Sequence, residues 1–228
     1  MSFQTFGSIL SETTLFIGPK CPGLGSSKFV IAFRPTSTSI TADTLNGWGT
    51  ITGTSESVSL LANSTRAGGA IRTSNSTVPH SAGLGYYSLG FMPSKNPVFE
   101  CRLALPSVTS TTTCYMGFRS LQDDSWNAGD CEAVDFTATD GGNWFGYSDD
   151  TIAQSNTDLG VATAADTLVT LRLELTSSLA TFYINGTSVG TLNTHLPGST
   201  TPLMPQVQVS ASATRNIDIV YAFAYQDI

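Results

Sequence analysis

Hydrophobic and polar residues alternate with a period of two through much of the second half of the chain, and no segment keeps helical spacing over three turns. The clearest alternation runs from Leu168 to Leu175, where Val169, Leu171 and Leu173 fall on one face and polar residues on the other. Many short segments of this kind, separated by Gly, Asn, Asp and Pro, predict an all-β sandwich or barrel.

Turn residues between the alternating segments predict two hairpins. Residues 180–184 are followed by Asn185-Gly186, a pair that accepts the positive φ angles of a type I′ turn, so residues 187–192 should return antiparallel. Residues 99–105 and 114–118 alternate in the same way around a Ser/Thr loop, and we interpret them as a second hairpin.

The C-terminal segment predicts a long strand. Ile217, Ile219, Tyr221, Phe223 and Tyr225 alternate with a second set of mostly small, apolar residues. A strand that is apolar on both faces is typical of burial on both sides. We therefore expect this strand to be covered on each face.

The first 40 residues have a different sequence pattern, with short apolar runs separated by a segment rich in Gly, Pro and Ser. Two interpretations remain open: residues 1–40 are extra edge strands of the jelly-roll domain at residues 41–228, or an arm that adds to a neighbouring subunit's sheet. In the second case Phe29, Ile31 and Phe33 would be assembly contacts.

Composition narrows the class of protein. The 228 residues fit one sandwich domain, with 40% hydrophobic residues, 12% charged residues and 21 glycines. The formal net charge of −7 comes from scattered carboxylates, which argues against nucleic acid or an anionic membrane as a partner. The first residues lack a basic and then apolar leader, and no apolar run approaches the roughly 20 residues that span a bilayer, so we expect a soluble protein made without a secretion signal.

The four cysteines, Cys21, Cys101, Cys114 and Cys131, show no paired spacing. We predict buried, reduced thiols, with a disulfide between Cys101 and Cys114 as the alternative if these two face each other across the second hairpin.

One order of motifs points to a family. The motifs are Asp130–Trp144 (DCEAVDFTATDGGNW), Asp158–Val161, Phe182–Gly186 (FYING), Leu203–Pro205 and Asn216–Tyr221 (NIDIVY). Together they resemble the concanavalin A-like lectin/glucanase jelly rolls of bacteriophage structural proteins, over the chain from Leu45 to its end.

The resemblance implies an antiparallel jelly-roll β-sandwich on a virus particle, such as a capsid decoration (cement) protein or a tail component. It implies a protein synthesised in the host cytoplasm and carried on the virion. The expected partners are further copies of the chain, with a trimer as the first guess, and other virion proteins such as the major capsid protein.

Catalysis is less expected from the sequence than a structural role. Glucanases of this fold carry carboxylates at every second residue of one strand. Here Asp130 and Glu132 have that spacing, but Asp135 falls on the opposite face and Thr137 stands where a further acid is needed. Phosphate-loop, nucleophile-elbow and zinc-helix motifs are also missing. The sequence therefore predicts a non-enzymatic protein, with a glycoside hydrolase as a less favoured alternative.

Metal and cofactor sites are likewise not expected. His80 and His195 lie in loops far from other ligand-type clusters, and we interpret both as solvated. Aspartates in the loops around residues 123, 140 and 149 suit calcium, but no EF-hand pattern accompanies them.

A carbohydrate-binding adhesion module is the main alternative to a scaffold. Lectins of this fold hold surface glycans with an aromatic platform and a few polar groups, and Trp126 with Asp124 and Asn127 fits that description in a polar loop. Trp48 and the Trp144-Phe145 pair are predicted to pack in the core.

Removing residues 1–40 tests the assembly hypothesis. We expect a truncated protein that still folds but falls from a symmetric oligomer to a monomer, as measured by light scattering. An unfolded product would show instead that these strands complete the domain's own core.

Overall fold

Nearly all the regular structure is β-strand, as the alternation predicts. The computed structural model describes residues 16–18, 28–33, 48–51, 57–61, 70–75, 81–86, 90–106, 112–120, 131–139, 142–211 and 215–227. Within these ranges there are 16 strands and a single 3-10 turn at Pro93–Lys95. No helix in the described ranges is long and apolar enough to cross a membrane.

The described strands form two antiparallel sheets. The nine-stranded sheet contains β1 (Phe16–Gly18), β2 (Lys28–Phe33), β4 (Ser57–Leu61), β5 (Ala70–Asn75), β7 (Val98–Ala104), β12 (Val169–Leu175), β13 (Ala180–Ile184), β14 (Thr187–Leu192) and β16 (Arg215–Asp227). The seven-stranded sheet contains β3 (Trp48–Ile51), β6 (Ser81–Tyr86), β8 (Thr112–Arg119), β9 (Ala133–Thr139), β10 (Asn143–Asp149), β11 (Gln154–Ala162) and β15 (Met204–Ala211).

The strand order shows many crossovers between the sheets. It is β1-β2-β16-β7-β12-β13-β14 in the larger sheet, where β5 also pairs with β16 and β4 pairs with β5. In the smaller sheet it is β11-β10-β9-β8-β15-β6-β3. The two sheets pack face to face as a jelly-roll sandwich, which confirms the predicted fold class.

One predicted hairpin is confirmed and the other is wrong. Asn185 and Gly186 have φ angles of 52° and 81°, as a type I′ turn requires, and β13 pairs with β14. β7 and β8, however, lie in different sheets: β7 pairs with β12 and β16, and β8 pairs with β9 and β15. Alternation marks which residues are buried, but it does not determine which strand is the neighbour.

The topology places Cys101 and Cys114 in different sheets. Cys101 and Cys114, on β7 and β8, are buried thiols outside any disulfide, as is Cys131. Burial raises the pKa of both the Cys101 and Cys114 thiols well above the ordinary value, so they behave as small apolar core residues.

Aromatic contacts join the two sheets through the core. Phe136 on β9 meets Phe182 on β13 edge to face, with ring centroids 5.0 Å apart, and Phe99 on β7 lies 5.8 Å from Phe118 on β8. Gly146 on β10 makes room for the first pair, since a Cβ there would lie 2.7 Å from the Phe182 ring. Trp48 and Trp144 also pack in this core, as predicted.

A β-bulge changes the predicted orientation of β16. The pairing of β16 with β7 shifts between Ile219 and Tyr221, so Ile219 and Ala222 both face the core. Tyr221 and the aromatic residues after it therefore lie on the outer face of the nine-stranded sheet, half-buried rather than covered on both sides. A regular alternation cannot reveal an inserted residue of this kind.

The N-terminal strands join the sheet of their own chain. β2 pairs with β16 from Phe33↔Ala222 to Lys28↔Asp227, and β1 pairs with β2 at the edge. The side chains of Phe29, Ile31 and Phe33 lie outside the described residues, so their predicted role in assembly stays a prediction.

Truncating the cross-sheet ring at Phe136 should be costly. We expect Phe136→Ala to lower the free energy of unfolding by about 3–5 kcal/mol, because it removes a fully buried ring and leaves a cavity between the sheets. Phe145→Ala is the matched control. It removes the same kind of ring from the paired strand β10, next to the position opposite Phe136, but on the outer, half-buried side. Equal losses in urea unfolding would contradict this account of the core.

Candidate functional site

The face of the seven-stranded sheet that points away from the core carries a cluster of polar side chains, which we call the polar face. Since Val134 and Phe136 belong to the core, the alternating residues of β9 point the other way. Strand register brings the matching residues of neighbouring strands onto the same face. Its central polar residues are Arg119, Asp135, Tyr147, Asp149, Gln206 and Gln208.

Asp135 lies at the centre of the polar face and is fully buried. Its Oδ1 accepts a hydrogen bond from the Thr137 hydroxyl at 3.0 Å, and its Oδ2 lies 3.8 Å from Nε of Arg119. Desolvation raises the pKa of Asp135 to about 7, although Arg119 and the Thr137 hydrogen bond act in the opposite direction. The carboxyl group is therefore partly protonated near neutral pH.

Asp149 is the second buried carboxylate of the polar face. Its Oδ2 accepts a hydrogen bond from the Tyr147 hydroxyl at 2.8 Å, and its Oδ1 accepts one from the backbone N–H of Thr151 at 2.7 Å. Burial and the contact with Asp149 raise the pKa of Tyr147, so its hydroxyl remains a donor. Two donors on one carboxylate suit its negative charge.

Asp135 and Asp149 are diagonal neighbours on paired strands. Asp135 lies opposite Tyr147, two residues from Asp149, and Asp149 itself contributes to the raised pKa of Asp135. Diagonal neighbours in an antiparallel pair are about 7–8 Å apart. The fold thus pairs one carboxyl group that holds its proton near pH 7 with a hydrogen-bonded carboxylate.

Two buried acceptors of the polar face are unsatisfied. Among the described residues, neither Oδ2 of Asp135 nor Oε1 of Gln208 has a hydrogen-bond partner, although the Gln208 amide donates to Oε1 of Gln206. A buried polar atom without a partner costs about 1–3 kcal/mol. Such acceptors match a ligand rich in hydroxyl donors.

A glycine allows the strands to approach closely beside Asp135. Gly117 on β8 lies directly opposite Asp135 in the register. A Cβ at Gly117 would lie 2.3 Å from the Asp135 Cβ and 2.2 Å from the carbonyl oxygen of Val134. Only glycine fits this position, so it holds β8 close against β9 beside Asp135.

The connection from β14 to β15 is tied to the ends of β9 and β10. The side chain of His195 is 37% exposed, in line with the prediction of a solvated residue, and its Nδ1 also lies 3.1 Å from Oδ2 of Asp150. Glu132 accepts a hydrogen bond from the backbone N–H of Gly198 at 2.6 Å. Glu132 therefore binds this connection, and it does not share the face with Asp135 as a catalytic partner.

The other residues predicted from the sequence have mixed outcomes. The proposed sugar-binding set, Trp126, Asp124 and Asn127, lies outside the described residues, as do Asp130 and His80. The core prediction is right for Trp144 but wrong for Phe145, which lies on the polar face opposite Thr137. No cluster of three or more potential metal ligands occurs in the part of the chain that the structure describes.

Comparison with known proteins identifies the fold, while the sequence by itself finds no match. No family model matches the chain, and no curated protein matches it significantly. Many solved structures match its architecture, and they include lectin-type and glucanase-type β-sandwiches. The protein therefore has the jelly-roll β-sandwich fold that these concanavalin A-like lectins and glucanases share.

Three solved structures illustrate the likeness. A protein of unknown function from Shewanella oneidensis MR-1 is 14% identical, with a TM-score of 0.68 over 100% of this chain and 95% of that chain. An endo-β-1,4-glucuronan lyase from the fungus Trichoderma reesei is 11% identical, with a TM-score of 0.58 over 81% of this chain and 92% of that chain. A carbohydrate esterase from the Shiga toxin-encoding bacteriophage phi24B is 13% identical, with a TM-score of 0.54 over 80% and 91%.

The prediction of a non-enzymatic protein is corrected by these comparisons. The similar structures include the glucuronan lyase, a laminarinase, an endo-β-galactosidase, a glycosidic hydrolase and a transglycosylase. The prediction depended on carboxylates spaced along one strand. Asp135 and Asp149 come together from two strands, which no spacing rule along the chain detects.

Replacing Asp135 should change how stability depends on pH. Its folded-state pKa of about 7 lies above the ordinary 3.8, so the folded protein holds a proton that the unfolded chain releases between these values. This contribution is complete below about pH 4 and is lost as the pH rises through about 7. We expect Asp135→Asn to gain stability relative to the wild type between pH 4 and pH 8, as measured by urea unfolding. Parallel pH profiles for the two proteins would contradict the assignment.

Proposed function

We propose that the protein acts on a polysaccharide, which it binds at the polar face and cleaves at a glycosidic bond. The observation that carries the proposal is Asp135: a buried carboxyl group with a pKa of about 7, whose Oδ2 has no hydrogen-bond partner among the described residues, on the face opposite the core. A group that holds its proton near neutral pH is what general acid catalysis needs.

Asp135 and Asp149 have complementary roles in this proposal. Asp135 donates its proton to the leaving glycosidic oxygen. Asp149 accepts a proton from a water molecule, whose oxygen then bonds to the anomeric carbon as the glycosidic bond breaks. The diagonal placement supports this division, because two carboxyl groups that lie on one face without direct contact leave room for that water, as inversion at the anomeric carbon requires.

The surrounding side chains supply binding and orientation. Arg119 stabilises the charge that Asp135 carries after it has donated its proton. Tyr147 orients Asp149 through its hydroxyl. Gln208 offers an unpaired acceptor to a sugar hydroxyl, and Phe145 offers a half-buried ring against which a sugar can pack.

Binding without cleavage is the second candidate. The carbohydrate recognition domain of Emp47p has a similar fold, and unpaired acceptors serve recognition as well as they serve catalysis. The position of the protein on a phage capsid or tail, and its assembly as a trimer, stay proposals.

Cleavage can be measured as new reducing ends on soluble polysaccharides, including β-glucans, galactans and glucuronans. We expect Asp135→Asn to lower the rate by at least 100-fold, since the amide cannot protonate the leaving oxygen. The wild-type rate should fall as the pH rises above about 7, where Asp135 loses its proton.

Asp166→Asn is the matched control, because it makes the same chemical change in the exposed connection between β11 and β12 and should leave the rate unchanged. Retention of the polysaccharides with no new reducing ends would exclude cleavage and favour the lectin-like candidate. If the polysaccharides are neither retained nor cleaved, the polar face is rejected as a carbohydrate site.

A further inference from the structure

Three aromatic side chains form a row on the outer face of the nine-stranded sheet, on the far side of the molecule from the polar face. Tyr221, Phe223 and Tyr225 alternate along β16. Their ring centroids are 6.1 Å and 6.3 Å apart, and neighbouring ring planes are inclined by only 24° and 10°. We call these three residues the aromatic strip.

The β-bulge before Tyr221 creates this strip. Without the shift between Ile219 and Tyr221, the aromatic residues would follow Ile219 into the core. The bulge places Ala222 and Ala224 in the core instead, so the strand buries two small side chains and leaves three large rings only partly buried. Burial of apolar area favours the opposite choice. An arrangement that gives up this burial indicates a role for the outward rings.

The charged side chains beside the strip on β7 and β12 balance one another in number. On β7 and β12 the neighbours are Glu100, Arg102, Arg172 and Glu174, whose formal charges cancel. Arg172 pairs with Glu174, and the Tyr221 hydroxyl donates to Oε1 of Glu100 at 2.7 Å. The border therefore offers hydrogen-bonding groups without a net charge, which suits a neutral ligand rich in hydroxyl groups.

The strip is too small for a stable protein interface. Three half-buried aromatic residues together offer on the order of 200 Å² of ring surface. A specific protein partner buries about 800 Å² on each side. A flat sugar chain, in contrast, needs only a line of aromatic side chains on which its sugar rings can pack, with polar groups beside them.

We propose that the aromatic strip is a second carbohydrate-binding surface, which holds a neutral polysaccharide chain along β16. The apolar faces of the sugar rings pack on Phe223 and its two neighbours, and the sugar hydroxyls bond to Glu100 and Arg102 at the border. This inference rests on the outer face of the nine-stranded sheet alone, and it holds whether or not the polar face cleaves a glycan.

Affinity electrophoresis tests the proposal with the intact protein in gels that contain hydroxyethylcellulose, laminarin, dextran or galactomannan. We expect retardation by at least one of these polymers. Phe223→Ala should weaken that binding at least tenfold, because it removes the central ring without touching a hydrogen bond, and Phe223→Tyr should retain it. Repeating the Phe223 comparison in the Asp135→Asn background separates the two surfaces, because a loss of binding that persists there cannot come from cleavage at the polar face.

Ile152→Ala is the control, since it removes an exposed apolar side chain from the turn between β10 and β11, outside both surfaces. The proposal is overturned if no polymer retards the wild type, or if Phe223→Ala binds every polymer as tightly as Ile152→Ala does. It is also overturned if Phe223→Ala dissociates an oligomer instead of weakening polysaccharide binding.

A footprint on the wild-type protein covers the case in which Phe223→Ala does not fold. The retarding polymer should slow nitration of Tyr221 and Tyr225 at least threefold, as read by peptide mass spectrometry. Unchanged nitration at both tyrosines would overturn the proposal.

Discussion

The packing of Phe136 against Phe182, and of Phe99 against Phe118, holds one sheet against the other, and the remaining structure depends on it. Each sheet buries one face in this shared core, so every second residue of a strand is committed to apolar packing. The residues between them are free to differ. The two outer faces are thus the places where this fold can carry chemistry without loss of its core.

The two outer faces use that freedom in different ways. On the seven-stranded sheet, neighbouring strands bring acids, amides and an arginine into a buried cluster, and desolvation there keeps a proton on Asp135 near neutral pH. On the nine-stranded sheet, a single bulge turns a row of aromatic rings outward beside charges that cancel. The first arrangement favours proton transfer, and the second favours packing against an uncharged ligand.

The same register explains why the polar face tolerates buried polar groups. Asp135 shares β9 with Val134 and Phe136, which anchor the strand in the core, and Gly117 lets the neighbouring strand approach it closely. The strand cannot move the carboxyl group into water without breaking these contacts. Core packing on one face of β9 therefore offsets the free-energy cost of desolvating Asp135 on the other face.

The sequence by itself determined the all-β class, the Asn185-Gly186 hairpin and the burial of Trp48 and Trp144, because period-two alternation and turn chemistry are local properties. The separation of β7 from β8, the bulge in β16 and the outward position of Phe145 were decided only by the tertiary structure. So was the meeting of Asp135 and Asp149. Strand order and register depend on partners distant in the sequence, and a one-residue shift reverses which side chains face the core.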